Sequence, residues 1–201
     1  MKIVDCLQGT DEWVIAKLGV PSASNFNKII TSTGNLSKQA PKYMQLLLNE
    51  ITNGYLTVEY ESAWMKRGKE LEEEARDYYS NLTKQQVCEV GFIYNDSRQF
   101  GCSPDGILKD KGLEIKCPKE LEDISKYYTQ YKAQIQGSML ITGFKKWDLF
   151  IYHVGYNGKN TEINYKLKTY DRDEKFIEKL SEYLTAFSEV FNKEKEKVMF
   201  V

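Results

Sequence analysis

The sequence predicts an α/β (α+β) fold in which a mixed central β-sheet is flanked by α-helices. Apolar residues recur at helical spacing in two early stretches and one long closing stretch. In the middle of the chain the period drops to two, and turn residues cut the alternation into short runs. The order is therefore helices, a meander of strands, a helix, two strands and a helix, which builds helix layers on a sheet. No repeat, low-complexity stretch or linker interrupts the 201 residues, so one domain spanning 1–201 is expected. A chain of this length buries about 70% of its unfolded surface, enough for a core without staples.

The elements follow from local chemistry. Pro41 suits a first helical turn, Tyr43/Met44, Leu47/Leu48 and Ile51 repeat on one face, and Asn53-Gly54 ends the helix. Ser62 is a cap for a second helix to about Asn81, with Met65, Leu71, Ala75, Tyr78, Tyr79 and Leu82 apolar. Strands are expected over Gln86–Tyr94, Phe100–Ser103, Gly106–Lys109 and Leu113–Cys117, parted by Asn95-Asp96-Ser97-Arg98, Pro104-Asp105-Gly106 and Asp110-Lys111-Gly112. Ile124–Thr142 reads as a helix closed by Gly143. Lys146–Val154 and Thr161–Thr169 read as strands, and Asp171 to about Glu196 as an amphipathic helix.

Composition excludes several classes. Hydrophobic residues at 41% and charged residues at 28% rule out disorder. A net charge of −1 excludes a generally basic binder, so any nucleic-acid contact must be local and patterned. No apolar run approaches the roughly 20 residues that span a bilayer, and the start is charged too soon for a signal peptide. A cytoplasmic protein without a membrane partner is the expectation. Cys6, Cys88, Cys102 and Cys117 are scattered and read as free thiols rather than a zinc site. The single histidine, His153, lies in an apolar run, which argues against histidine-based nucleophilic catalysis.

The chemistry concentrates in Cys102-Ser103-Pro104-Asp105-Gly106 and Leu113-Glu114-Ile115-Lys116-Cys117-Pro118. Asp105 sits at a turn, and Glu114 follows nine residues later in a strand. Alternation puts Glu114 and Lys116 on one face and Ile115 on the other. Pairing across Asp110-Lys111-Gly112 would bring Asp105 to Glu114. Two carboxylates held together repel unless a cation lies between them, and hard oxygens suit Mg²⁺ or Mn²⁺. Lys116 on the same face can hold or deprotonate the attacking water, with a pKa driven down by the cation. A surface Glu–Lys pair is the plain alternative, but charges inside an apolar strand are costly unless paired or metal-bound.

Pro104-Asp105 followed by Glu114-x-Lys116 resembles the PD-(D/E)xK nuclease signature. Further motifs narrow it: Gln8-Gly9-Thr10-Asp11-Glu12-Trp13, Lys17-Leu18-Gly19-Val20-Pro21-Ser22-Ala23-Ser24, Arg67-Gly68-x-x-x-Glu72 and Tyr131-x-Ala133-Gln134-x-Gln136-x-Ser138-Met139. Their order is similar to that of the lambda exonuclease and YqaJ-type viral recombinase family. The resemblance implies a restriction-endonuclease-like core. It also implies that Asp105, Glu114 and the Ile115 main-chain carbonyl hold a catalytic metal while Lys116 activates water. Glu72 would help bind a second ion, and Gln134 would border the centre. Glu72 shares a helical stripe with Gly68, Ala75 and Tyr79, whereas a helix glutamine bonding to backbone is the plain alternative for Gln134.

The family's reaction is Mg²⁺-dependent phosphodiester hydrolysis, processive from 5′ to 3′ on one strand of a duplex end. It is carried out by a ring-shaped trimer, with a single-strand annealing protein as partner. Lys17, Ser22 and Ser24 would bind the 5′-phosphate together with Ser103 and Tyr131. They surround an expected helix start that Ser22 or Ser24 would cap. The family has an arginine where Lys17 stands, and a lysine offers only a point charge. A site- or structure-specific endonuclease and a catalytically silent DNA-binding module are the alternatives.

Overall fold

The computed structural model describes residues 1–57, 62–156 and 161–199. A mixed sheet is built from β4 (Gly106–Ile107), β5 (Gly112–Lys116), β6 (Lys146–Tyr156) and β7 (Thr161–Asp171), in that order. β4 and β5 form an antiparallel hairpin, with Gly106 opposite Leu113. β5 runs parallel to β6, pairing Gly112 with Trp147 and Lys116 with Ile151. That parallel pair needs a crossover, which helix α5 (Ile124–Thr142) supplies. Asp123 caps α5 by accepting from the Ser125 amide, and Gly143 closes it in the left-handed conformation at φ 79°.

The sheet lies between two helices because its central strands are apolar on both faces. Leu113 and Ile115 of β5 and Phe150 and Tyr152 of β6 pack on Ala75 and Tyr79 of α4 (Glu72–Thr83). Trp147, Leu149 and Ile151 face Ile135 and Met139 of α5. A third cluster joins α2 (Ala40–Asn53) and α6 (Glu174–Met199) to a 3-10 helix at Ala23–Lys28, through Tyr43, Leu47, Phe26, Leu180, Leu184 and Phe187. α5 can approach that 3-10 helix because position 137 is glycine. A Cβ there would lie 2.3 Å from the Phe26 ring.

The expected helices at 41–50 and 124–142 stand, and the last two strands run two residues longer than expected. Other expectations are corrected. The second helix is two: α3 (Ala63–Glu70), capped by Ser62, and α4, meeting at Leu71. Arg67 and Lys69 close α3 while Glu72, Glu73 and Glu74 open α4, so each charge matches the dipole of its own helix end. The meander does not form one sheet. β2 (Phe92–Tyr94) and β3 (Gly101–Cys102) join β1 (Lys2–Val4), which the sequence reading passed over, in a separate antiparallel sheet. From Gln86 to Gly91 only Cys88 makes a bridge, to Ile107, so the expected long strand shrinks to three residues. The helix α1 (Asp11–Lys17) is capped by Thr10. The closing helix starts at Glu174, where Asp173 accepts from the Phe176 amide.

Asp148 of β6 is fully buried and faces α4. It accepts from Tyr79 Oη at 2.5 Å, from Lys111 Nζ at 2.6 Å and from Thr169 Oγ1 at 2.6 Å. α4, the β4–β5 turn and β7 are thus tied at one carboxylate. Asp148→Ala should cost about 3–5 kcal/mol, because it strands a half-buried ammonium and two hydroxyls. Urea unfolding of the variant against wild type measures it, and a loss below about 1 kcal/mol would contradict this role.

Candidate active site

The hairpin brings the chemistry together. Asp105 immediately precedes β4, and its Oδ2 accepts the Ile115 main-chain N–H at 2.6 Å, across the strand from Glu114. Glu114 and Lys116 project toward α5 and Ile115 toward α4, the alternation expected of a strand. Glu114 is 1% exposed. Its Oε1 accepts from Lys116 Nζ at 2.5 Å and from Gln134 Nε2 of α5 at 2.6 Å. Its Oε2 is buried with no hydrogen-bond partner among the described residues. Gln134 therefore bonds to the site, not to backbone.

Glu72 stands at the start of α4, where Arg76 one turn later reaches its Oε1 at 3.1 Å. Arg76 also donates to the Asp105 carbonyl at 2.8 Å and pairs with Glu89 at 3.0 Å. The sequence reading missed Arg76, although its i+4 spacing from Glu72 was the available signal. It missed a role for Gln8 too, whose Nε2 donates to the carbonyls of Val90 and Pro104 and pins the turn carrying Asp105.

Electrostatics record the crowding of acids. Burial, then the Asp105 carboxylate, pushes Glu114 up to about 8 against the pull of Lys116. Burial and Asp105 push Glu72 up to about 7. Burial also raises Asp105, against Lys116, the Ile115 amide and Arg76. For Lys116, burial lowers the pKa, but Glu114, Asp105 and Tyr131 outweigh it and the net shift is upward. The sequence expectation of a lowered pKa concerned an amine beside a divalent cation; this upward shift is set by the protein groups alone. The neighbouring acids thus favour the ammonium form of Lys116.

The donor set fits a hard divalent cation. Glu114 Oε2 is an orphaned buried oxygen beside a second carboxylate, and hard oxygens match Mg²⁺ or Mn²⁺. Among the described residues no three His, Cys, Asp or Glu side chains gather as a chelating group. A cation here would rest chiefly on Asp105, Glu114 and main-chain oxygen, with Glu72 to one side.

Two cavities flank these residues and share Lys69 and Glu72. One, of about 580 Å³, is lined by Gln8, Trp13, Glu72, Arg76, Glu89 and Asp105 among others. The other, of about 350 Å³, includes Trp64, Ile115, Lys116, Tyr127 and Tyr131. Lys116 Nζ lies 4.9 Å from the Tyr131 ring centroid. Lys17 ends α1 with its ammonium 4.4 Å from the Trp13 ring centroid, and Trp13 Nε1 donates to Ser103 Oγ at 2.9 Å. Lys17, Trp13 and Ser103 thus form one group, which reaches the larger cavity through Trp13.

The hydroxyls of Ser22 and Ser24 meet each other at 3.1 Å. The expected cap fails here: the element is a six-residue 3-10 helix with no side-chain cap bond. Ser22 is buried, and its amide donates to Tyr43 Oη. Ser24 is exposed.

Residues 12–145 match the YqaJ-like viral recombinase domain. The chain belongs to that family. The fold is similar to that of an alkaline exonuclease, LHK-Exo, from Laribacter hongkongensis, with TM-score 0.80 and 29% identity over 94% of this chain and 96% of that one. The same protein in complex with dAMP gives 0.76 at the same identity and coverage. A phage related exonuclease from Haemophilus somnus 129PT, 15% identical, shares the fold at TM-score 0.71 over 89% of this chain and 96% of that one. No curated protein sequence is significantly similar. This YqaJ-family chain accordingly has the restriction-endonuclease-like fold expected from its motifs. No helix among its described residues is long and apolar enough to cross a membrane.

The acid cluster predicts a pH response. Glu114 and Glu72 are raised from an ordinary value of 4.5, so the folded protein holds protons that the unfolded chain has released. In chelator, stability should fall as pH rises from about 5, to about 7 for Glu72 and about 8 for Glu114, approaching about 1.4 kcal/mol per pH unit for each group within its own window. Glu114→Gln should flatten that fall. Urea midpoints across the range measure both, and a stability that rises with pH in this window would refute the assignment.

Proposed function

We propose that this YqaJ-family protein is a metal-dependent DNA exonuclease that digests the 5′-ended strand of a linear duplex processively, releasing 5′-mononucleotides. The observation that carries the reading is Glu114. It is a buried carboxylate with one oxygen held by Lys116 and Gln134 and the other bare, beside Asp105 at the Ile115 amide. Burying such a group without a partner is costly, and a hard cation is the partner its chemistry matches.

Asp105, Glu114 and the Ile115 carbonyl would hold Mg²⁺, or Mn²⁺ in its place, and Glu72 would help with a second ion. The chemistry supplied by bound ions would be polarisation of the scissile phosphate and a lowered pKa for the attacking water. Gln134 and Lys116 fix the Glu114 rotamer by sharing Oε1. The Lys116 ammonium also places a positive charge where the phosphate gains negative charge. Arg76 anchors the Asp105 main chain and balances Glu72 and Glu89. Lys17, Ser103 and exposed Ser24 would receive the terminal phosphate, with Tyr131 beside Lys116. Linear duplex ends are the substrate. A homotrimeric ring in the host cytoplasm, cooperating with a single-strand annealing protein, rests on the family resemblance alone.

Asp105→Ala, Glu114→Ala and Lys116→Ala should each lower turnover at least about a hundredfold, roughly 3 kcal/mol, with the circular dichroism spectrum unchanged. Near wild-type hydrolysis by any of them removes that residue from the mechanism. Ca²⁺ should support binding but little cleavage, because its looser coordination misplaces the water. Equal rates in Ca²⁺ and Mg²⁺ would contradict the metal assignment. Circular duplex separates this reading from an endonuclease, since only the latter would cut it.

A 5′-phosphorylated duplex should be degraded faster than its 5′-hydroxyl counterpart, as one hydrogen bond to a charged phosphate is worth roughly 1.5–3 kcal/mol. Lys17→Ala should narrow that difference, and more salt should narrow it further. Equal wild-type rates on the two ends would sink the pocket.

A further inference from the structure

We infer that the surface around Trp64, Arg67 and Lys119 binds unpaired nucleotides of the strand that survives digestion, an inference that rests on the exonuclease reading above. Trp64 opens α3 and is 50% exposed, a large aromatic surface left in water. Two cations attend it: the Arg67 guanidinium at 5.7 Å and the Lys119 ammonium at 5.3 Å from its ring centroid. Arg67 is itself held in place, its Nη2 donating to the Val154 carbonyl of β6 at 2.9 Å. Lys119 is 57% exposed and follows the metal-site strand by three residues.

These residues line a cavity of about 540 Å³ together with His153, Tyr156 and Asn164, and Glu162 is the carboxylate among its described lining residues. Trp64 and Lys119 also line the smaller catalytic cavity, which contains Lys116 and Tyr131. The surface is therefore continuous with the site. An exposed aromatic platform between cations is how unpaired nucleic acid is held without sequence preference: bases stack on the ring and phosphates meet the cations. The larger cavity has the opposite character, with Glu72, Glu73, Glu89 and Asp105 facing Lys69 and Arg76.

The choice of strand follows from the geometry of end digestion. On one side of the scissile phosphate the cut strand is a departing mononucleotide, and on the other it is still duplex. The only extended unpaired strand is the survivor. The Trp64 surface lies one cavity out from Lys116 and gathers no paired carboxylates among the described residues, so it can hold that strand and not cut it.

The test is DNA binding by anisotropy in chelator, where no hydrolysis is needed. Duplexes carry a 3′ tail of about ten thymidines, a 5′ tail of the same length, or no tail. Wild type should prefer the 3′-tailed duplex over the blunt one. Trp64→Ala should weaken 3′-tailed binding about tenfold while Trp64→Phe retains most of it. Lys119→Ala should lower the salt dependence by about one phosphate contact. Wild-type affinity in Trp64→Ala, or a loss confined to the 5′-tailed duplex, would overturn the inference. Failure of the exonuclease reading shows separately, as absence of Mg²⁺-dependent hydrolysis by wild type, and leaves the binding comparison intact.

Discussion

The hydrogen bond from the Ile115 amide to Asp105 Oδ2 is where strand pairing becomes chemistry. It lies one step beyond the Gly106–Leu113 pair of a two-residue strand, so the hairpin register alone decides that Asp105 meets Glu114. Shifting β5 by one residue would turn Glu114 and Lys116 toward Tyr79 and send Ile115 toward α5. The parallel pairing of β5 with β6, fixed by the α5 crossover, holds that register in the middle of the sheet. α5 also delivers Gln134 onto Glu114, so the element that closes the topology also completes the site.

Behind the site, Asp148 performs a related task on the other face of the sheet. It gathers Tyr79 from α4, Lys111 from the β4–β5 turn and Thr169 from β7. Tyr79 lies two turns along the helix from Glu72, and Lys111 is in the loop that joins the two acidic strands. A buried carboxylate with three short hydrogen bonds fixes the distance between the helix carrying Glu72 and the hairpin carrying Asp105 and Glu114. Each face of the sheet thus combines apolar packing with a buried acid: Asp148 is satisfied at both oxygens, whereas Glu114 keeps one oxygen without a partner among the described residues.

The two cavities meeting at Glu72 divide the surface by charge and shape. Acids and Arg76 dominate one side, and aromatics with Lys116, Lys119 and Arg67 extend the other. A chain with net charge −1 can therefore present a locally cationic, aromatic surface without being basic as a whole.

The sequence by itself determined the reacting groups and their side of the sheet. Period-two alternation separates Glu114 and Lys116 from Ile115 whatever the strand pairs with, and the turn at Pro104-Asp105-Gly106 and the helices bounded by Pro41, Gly54 and Gly143 are local chemistry. Only the tertiary structure decided the rest. The chain between Gln86 and Cys102 carries strand-like residues, yet partners from Lys2–Val4 draw two short pieces into a separate sheet. Leu71 breaks a continuous helical pattern because the charges on either side suit two helix ends better than one interior. Ser22 looks like a cap in sequence but is buried against Tyr43, a partner from α2 that no local pattern announces. Asp105 and Tyr131 add to the neighbouring Glu114 in raising Lys116, and Arg76 meets the Asp105 carbonyl and Glu89, at distances only the packed fold sets. Periodicity fixes which way a side chain points; what it meets depends on long-range pairing, which one sequence does not encode locally.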